Sequence, residues 1–386
     1  MNPDPALLSP EADAGHPVRI TRGRLADDRE IIFFDDSEPY LSGTLTREIH
    51  DPRPLDPRQL PPHEAAATRT DPLTGDPVTL AAHRMNRTFL PPANEDPLAP
   101  AGRGTVASEI PEPNYDVVVF ENRFPSLQGD LETLRDEPLF HETTPAGRCE
   151  VVCFTPDREG SFATLGISRA RTVVEAWTHR AHELQAMSDV VQVVPFENRG
   201  EEIGVTLHHP HGQIYAFSDL PPYTAAVQRR AATWTARTGG DLLQDVLDGE
   251  LEQKVRVIAQ TPSWVAYVPY AAKWPVEFMV VPRRAARDFT DLSDPEKDEL
   301  TRLYVDLLGR LDRFFPGIQH VPYISVWHQV PTRGGPDISR MWLHVFSVLR
   351  APGKLKYLAG AESGLGAWVN DTTPERIAAR FRELAS

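Results

Sequence analysis

The chain has 386 residues, a formal net charge of −15 and 40% hydrophobic residues, ample for one large domain or two of typical size with a real core. The acidic balance, with no basic run to offset it, argues against general nucleic-acid binding, and no stretch approaches the roughly 18 consecutive apolar residues of a membrane span. Met1-Asn2-Pro3-Asp4-Pro5 has neither the basic start nor the apolar run of a signal peptide, so a soluble, cytoplasmic protein is expected.

Residues 1–60 are rich in Pro and Asp and read as a partly mobile N-terminal extension, with one strand-like island at residues 29–34. From about 69 to 125 short apolar runs alternate with turn clusters, and residues 116–120 read as a buried strand. The two cysteines, Cys149 and Cys153, fall on one face of a further strand. Four residues of strand separate their Cα atoms by about 13 Å, too far for a disulfide, so buried thiols are expected. Residues 167–187 carry Val173, Val174, Trp177, Ala181 and Leu184 at helical spacing, and residues 191–194 return to a strand. A second round follows, with strands at 255–258, 264–268 and 278–281, a helix over about 295–314, and closing strands at 323–328 and 342–348. Short loops, mixed strands and helices grouped on one face point to α+β rather than a doubly wound sheet. Neither Gly102-Arg103-Gly104 nor the segment from Gly360 to Gly366 has the spacing of a phosphate-binding loop.

The most informative run is Phe196-Glu197-Asn198-Arg199-Gly200, followed by His208-His209-Pro210-His211-Gly212-Gln213. On an extended strand His209, His211 and Gln213 project to one side, which aims two imidazoles and an amide at one spot. Such a set offers a nucleophile or metal ligand, an orienting partner and a neutral donor for an anionic oxygen. Pro210 cannot donate to a ladder, so the strand is an edge or ends there. By itself His-Pro-His serves a structural reading as well as a functional one; its flanks decide between them.

Those flanks resemble the galactose-1-phosphate uridylyltransferase family of the histidine-triad superfamily. The matches run over about 320 residues, in order. They include Asp71-Pro72-Leu73-Thr74-Gly75, His83-Arg84-Met85-Asn86-Arg87, Phe120-Glu121-Asn122-Arg123, Pro269-Tyr270-Ala271-Ala272-Lys273-Trp274-Pro275, Trp327-His328, and the tail from Lys356 to Glu362. The resemblance implies a histidine-triad-like α+β fold of two pseudo-repeated halves, each with antiparallel sheet and helices packed on it. The N-terminal half, residues 61–225, would carry the nucleophile, and the C-terminal half, residues 226–386, the sugar-binding tail.

The implied reaction is transfer of UMP between UDP-glucose and galactose 1-phosphate, or a related sugar 1-phosphate, by a ping-pong route through a covalent uridylyl-histidine. An unprotonated imidazole is a good nucleophile at neutral pH. His211 is assigned that role, with His209 beside it and Gln213 donating to a non-bridging oxygen. Thr206 stands where the family has Ser. Arg84 and Arg87 match an Arg pair that would neutralise the diphosphate. Asn122 and Asn198 match positions that read the nucleotide, and Lys356, Tyr357 and Glu362 match a hexose-binding tail that reaches the partner's site in a homodimer. Ala361 and Trp368 depart from the family's pattern in this tail.

Metal is where the chain parts from the better-known members. Asp96-Pro97-Leu98-Ala99 occupies the place of a Cys-x-x-Cys pair, leaving His209 with His141 as a stray partner. At the second family site His328 remains and His344 lacks its companion, while Val227 or Gln228 falls where a Glu would be. One or two surviving ligands do not hold zinc, so no metal and no cofactor are expected. Two other readings stay open: a dinucleoside polyphosphate phosphorylase-like nucleotidyltransferase, and a catalytically silent regulatory or scaffold homologue.

Overall fold

The computed structural model describes residues 15–55, 66–82, 90–104, 107–127 and 134–385. The N-terminal part contributes β1 (Arg19–Arg24), β2 (Glu30–Asp35) and the short α1 (Glu38–Leu41). Then come β3 (Ala67–Thr70), β4 (Pro77–Leu80), β5 (Val117–Glu121), β6 (Glu142–Thr143), β7 (Gly147–Cys153), α2 (Ile167–Gln185), β8 (Gln192–Arg199) and β9 (His211–Phe217). The C-terminal part runs through α3 (Pro222–Thr238), α4 (Leu242–Gln253), β10 (Val257–Gln260), β11 (Trp264–Tyr267), β12 (Val276–Pro282), α5 (Asp294–Asp312), β13 (Tyr323–His328) and β14 (Trp342–Ser347). It ends with β15 (Leu349–Ala351), β16 (Lys354–Leu355), α6 (Gly360–Leu365) and α7 (Pro374–Glu383).

Eleven of these strands form one sheet in the order β1-β2-β5-β7-β9-β8-β13-β14-β12-β11-β10. Its middle is the antiparallel β8–β13 pair, with Phe196 opposite Val326 and Asn198 opposite Ile324. Outward from that pair the two sides mirror each other: β9 and β14, then β7 and β12, then β5 and β11. Within the mirrored sets of four strands, each side inserts a helix between the second and third in chain order, α2 between β7 and β8 and α5 between β12 and β13. The expected α+β fold of two pseudo-repeated halves is therefore what the chain forms, with both halves sharing one sheet.

Helices α2 and α5, 19 residues each, pack side by side on one face of that sheet. The spacing that predicts α2 buries Val173, Val174, Trp177, Ala181 and Leu184. Helix α5 starts at a capping box between Ser293 and Glu296 with a proline in its first turn, an arrangement that stabilises a helix start by about 1 kcal/mol. Beneath both helices the buried Trp327 of β13 meets the rings of Trp177, Trp264, Phe289 and Tyr304 at centroid distances between 4.9 and 6.4 Å.

Among the described residues, the opposite face is covered at its ends. Leu98, Ile110 and Tyr115 pack over Ile31, Phe33, Val118, Phe120 and Cys153 at one end, and α3 and α4 pack over Val265, Tyr267, Val281 and Trp342 at the other. Between them the described residues leave a trough whose floor is the part-exposed side chains of β9, β8, β13 and β14.

Several elements differ from the sequence reading. Within the expected N-terminal extension, residues 19–35 supply two strands that complete one edge of the main sheet. Helix α3 was not legible because its buried positions are Thr224, Gln228 and Ala231, polar or small residues that give no apolar period. Both cysteines are unbridged thiols buried on β7, as their spacing requires. No helix among the described residues is long and apolar enough to cross a membrane.

Candidate active site

His211 is the first residue of β9, and β9 is an interior strand between β7 and β8. Pro210 therefore sits just outside the ladder, where its missing N–H costs nothing and its carbonyl accepts from Phe154 N–H at 3.2 Å. Gly212 is required by close packing: a Cβ there would lie 2.8 Å from the Phe154 ring and 2.9 Å from the Phe196 carbonyl oxygen. The glycine thus lets β9 lie tight against the layer below while His211 stays on the trough side.

The His211 ring is oriented by its own backbone. Its Nδ1 lies 2.6 Å from the His209 carbonyl oxygen, which can only accept, so Nδ1 carries the proton. The neutral ring then has its lone pair on Nε2. Burial lowers the His211 pKa below the ordinary imidazole value; the His209 carbonyl and the Asp96 charge act the other way and the His209 charge adds to the lowering. A neutral imidazole with one engaged and one free nitrogen is the nucleophilic form.

His209 does not share the strand with His211, contrary to the alternation expected for the motif. The ladder begins at His211, and the His209 ring is instead enclosed beneath the loop that carries Asp96. Its Nδ1 donates to Asp96 Oδ2 at 2.7 Å, and its Nε2 lies 2.7 Å from the Thr155 carbonyl oxygen and 2.9 Å from the Tyr115 hydroxyl. Burial works to raise the Asp96 carboxyl, but the hydrogen bond and charge of His209, the Leu98 N–H and Arg158 together hold it below the ordinary value. Tyr115 and Thr155 carry no pattern in the sequence that marks them; Asp96 does, but only as a residue standing where a sulfur ligand was expected.

The remaining candidates divide by location. Gln213 and Asn198 lie on the trough side of neighbouring strands, since Gln213 pairs with Phe196 and Asn198 is two residues further along β8. The Gln213 amide has no hydrogen-bond partner among the described residues, which leaves it available to a ligand. Asn122, at the end of β5, accepts from Phe124 N–H through Oδ1 at 2.9 Å and so shapes a turn. Thr206 is part-buried in the loop before β9, and its carbonyl accepts from Leu90 N–H at 2.8 Å. Arg84 and Arg87 lie outside the described residues.

The tail is fastened to the C-terminal half. Trp368 packs on Trp274 at 5.1 Å, and the Asn370 amide donates to the carbonyls of Ala272 and Trp274. Lys356 Nζ is 3.6 Å from Glu362 Oε1 and donates to the Val369 carbonyl, while Tyr357 is 80% exposed. Among the described residues no contact joins Lys356, Tyr357 or Glu362 to His211 or Gln213.

The residues present do not fit the metal that the resemblance raises. Two ligands on a tetrahedral zinc ion stand about 3.3 Å apart or more. Asp96 Oδ2 and His209 Nδ1 are 2.7 Å apart, in direct hydrogen-bond contact with no room for an ion between them. His141 is exposed and pairs with Asp136 instead of joining His209. At the second location His328 stacks on Trp342 at 4.8 Å and 16°, and His344 Nε2 is engaged by Glu277 Oε1 at 2.8 Å. Gln228 is buried in α3, and Val227 packs in the cluster under that helix. No three His, Cys, Asp or Glu side chains among the described residues converge as a ligand group.

Comparison with known proteins finds two matching family descriptions that together span most of the chain. These are galactose-1-phosphate uridyl transferase, N-terminal domain, over residues 58–221, and galactose-1-phosphate uridyl transferase, C-terminal domain, over residues 227–386. A galactose-1-phosphate uridylyltransferase of Streptomyces lividans is 41% identical over 377 residues, covering 95% of this chain and 98% of that protein. A solved uridylyltransferase structure superposes with a TM-score of 0.72 at 28% identity, covering 83% of this chain and 98% of its own. An ADP-glucose phosphorylase from Arabidopsis thaliana, at 22% identity and a TM-score of 0.62 over 82% of this chain and 98% of its own, shares the fold.

Proposed function

The chain belongs to the galactose-1-phosphate uridyl transferase family, and from that premise we propose that it moves UMP between UDP-glucose and galactose 1-phosphate, or a closely related sugar 1-phosphate, in two steps at His211. In the first step the Nε2 lone pair attacks the α-phosphorus of UDP-glucose. A P–N bond forms, the P–O bond to the β-phosphate breaks, and glucose 1-phosphate leaves with the electron pair. In the second, a phosphate oxygen of galactose 1-phosphate attacks the same phosphorus, the P–N bond breaks, and UDP-galactose leaves. The kinetics are ping-pong.

The observation that carries this reading is the hydrogen bond from His211 Nδ1 to the His209 carbonyl. It holds the ring in the tautomer that can attack, and it stabilises the positive charge the ring acquires once Nε2 is bonded to phosphorus. Gln213 donates to a non-bridging oxygen, where negative charge gathers in the transition state. Asn198 and Thr206 contact the nucleotide, with Asn122 shaping the turn beside it, and Arg84 and Arg87 neutralise the diphosphate. Lys356, Tyr357 and Glu362 serve the sugar of the other chain's site in a homodimer, which accords with their lack of contact with His211 in their own chain. The mismatch of donor sets and distances supports catalysis without a tightly held metal.

The test is a panel of nucleoside diphosphate sugars offered singly with hexose 1-phosphates. Exchange with UDP-glucose and galactose 1-phosphate, showing parallel lines in double-reciprocal plots, is the expected result. Exchange with only a non-uridine nucleotide, or with inorganic phosphate alone as acceptor, would overturn it in favour of a phosphorylase; inactivity throughout would favour a silent homologue.

A further inference from the structure

The segment Asp96-Pro97-Leu98 wraps around the His209 ring and closes a ring of hydrogen bonds. Asp96 Oδ1 accepts from Leu98 N–H at 2.9 Å and its Oδ2 accepts from His209 Nδ1 at 2.7 Å. On the far side of the imidazole the Tyr115 hydroxyl reaches His209 Nε2 at 2.9 Å, the Thr155 carbonyl at 2.7 Å and, at 3.0 Å, the carbonyl of the same Leu98. Asp96 and His209 are 3% and 1% exposed, so no water competes for these bonds. The backbone carbonyl of His209 takes no part in this ring, and it accepts from His211 Nδ1.

We propose that Asp96 is a positioning residue for the reacting imidazole. By clamping the His209 side chain it sets where the His209 carbonyl stands, and that carbonyl sets the tautomer and aim of His211. The inference rests on His211 being the nucleophile. It goes beyond that assignment in giving a rate-determining role to a residue that touches neither substrate nor the reacting ring.

The decisive variant is Asp96→Asn, which keeps the size but offers one acceptor where both carboxylate oxygens are used, so one of the two bonds is lost. Single-turnover transfer of the uridylyl group from UDP-glucose to the protein is measured alongside the Kd for UDP-glucose and the melting temperature. Val265→Ala, a cavity in the core cluster under α3 and α4 at the other end of the sheet, supplies a destabilised control away from the site. The expected result is a transfer rate lowered about 10- to 100-fold in Asp96→Asn with Kd unchanged, the loss that ångström-scale misalignment of a nucleophile produces. Val265→Ala should melt lower yet transfer at the normal rate. An Asp96→Asn protein that transfers within about twofold of wild type while His211→Asn is dead would overturn the inference alone. If His211→Asn itself still transfers, the assignment beneath it fails. Should Asp96→Asn not fold, Tyr115→Phe tests the other side of the same clamp, and an unaltered transfer rate there would equally contradict the proposal.

Discussion

The two halves of the sheet present the same residue type to the same trough in opposite states. On β9 the trough-side positions are His211, Gln213 and Tyr215; on β14 they are Trp342, His344 and Phe346. His211 engages Nδ1 with a carbonyl and leaves Nε2 free, whereas His344 has its Nε2 bound to the Glu277 carboxylate. Beside it, burial and then the His344 charge push the His328 pKa down to about 3, and its ring lies flat on Trp342. A place in the trough thus does not by itself fix the state of a histidine. Of these three rings only His211 combines a hydrogen-bonded Nδ1 with an Nε2 that meets no partner among the described residues, the arrangement the proposed attack on phosphorus requires.

The largest expected effect comes from removing the free nitrogen. His211→Asn should lower turnover by at least about 10⁴-fold, as loss of a covalent nucleophile does, while His344→Asn should stay within about tenfold of wild type in steady-state assays. Comparable losses from the two would erase the distinction between the halves. Next, Trp342→Ala removes the platform under His328 and should lower stability by about 3 to 5 kcal/mol in denaturant titration, with transfer per folded molecule retained. A smaller loss would mean that the C-terminal half is not held by this packing.

A third test concerns Glu197, buried on the helix side of β8 directly below the trough. Burial raises its pKa to about 7, against the lowering effects of Tyr323 and Arg199. The folded state therefore binds this proton more tightly than the unfolded chain, so the group's contribution to stability is full below about pH 4.5 and is lost as pH rises to about 7. Above that, Glu197→Gln should be the more stable protein by about 3 kcal/mol at most and should lack this slope. A slope unchanged by the substitution would show that Glu197 is ionised throughout. The smallest effect is expected from metal removal: a chelator should leave the transfer rate unaltered, and elemental analysis of protein purified without added metal should show well under one zinc or iron per chain. Stoichiometric metal lost together with activity would contradict the reading of Asp96 and His209.

The comparison also explains what was legible in the sequence. The strands of both halves and helices α2 and α5 announce themselves because each buries one apolar face, and period and burial then coincide. Strand β1 and helices α3 and α4 did not, because β1 is an edge strand with polar positions and α3 buries Thr224 and Gln228. Within the site, His211 and Gln213 follow from strand alternation on β9, but the same rule misplaces His209, which lies before the ladder starts. Asp96 and Tyr115 are 113 and 94 residues from His209, and no local pattern reports a hydrogen bond closed only by the fold. The engagement of His344 by Glu277, across 67 residues, was hidden for the same reason.

The most direct measurement is to locate the covalent intermediate. Protein incubated with UDP-glucose alone, quenched in base to preserve a phosphoramidate and mapped by tandem mass spectrometry, should carry one UMP on the peptide containing His211, at that residue. The adduct should disappear on adding galactose 1-phosphate. UMP on His208, His209 or His344, or exchange without any adduct on the protein, would contradict the claim that the free Nε2 of His211 is what sets the two halves apart.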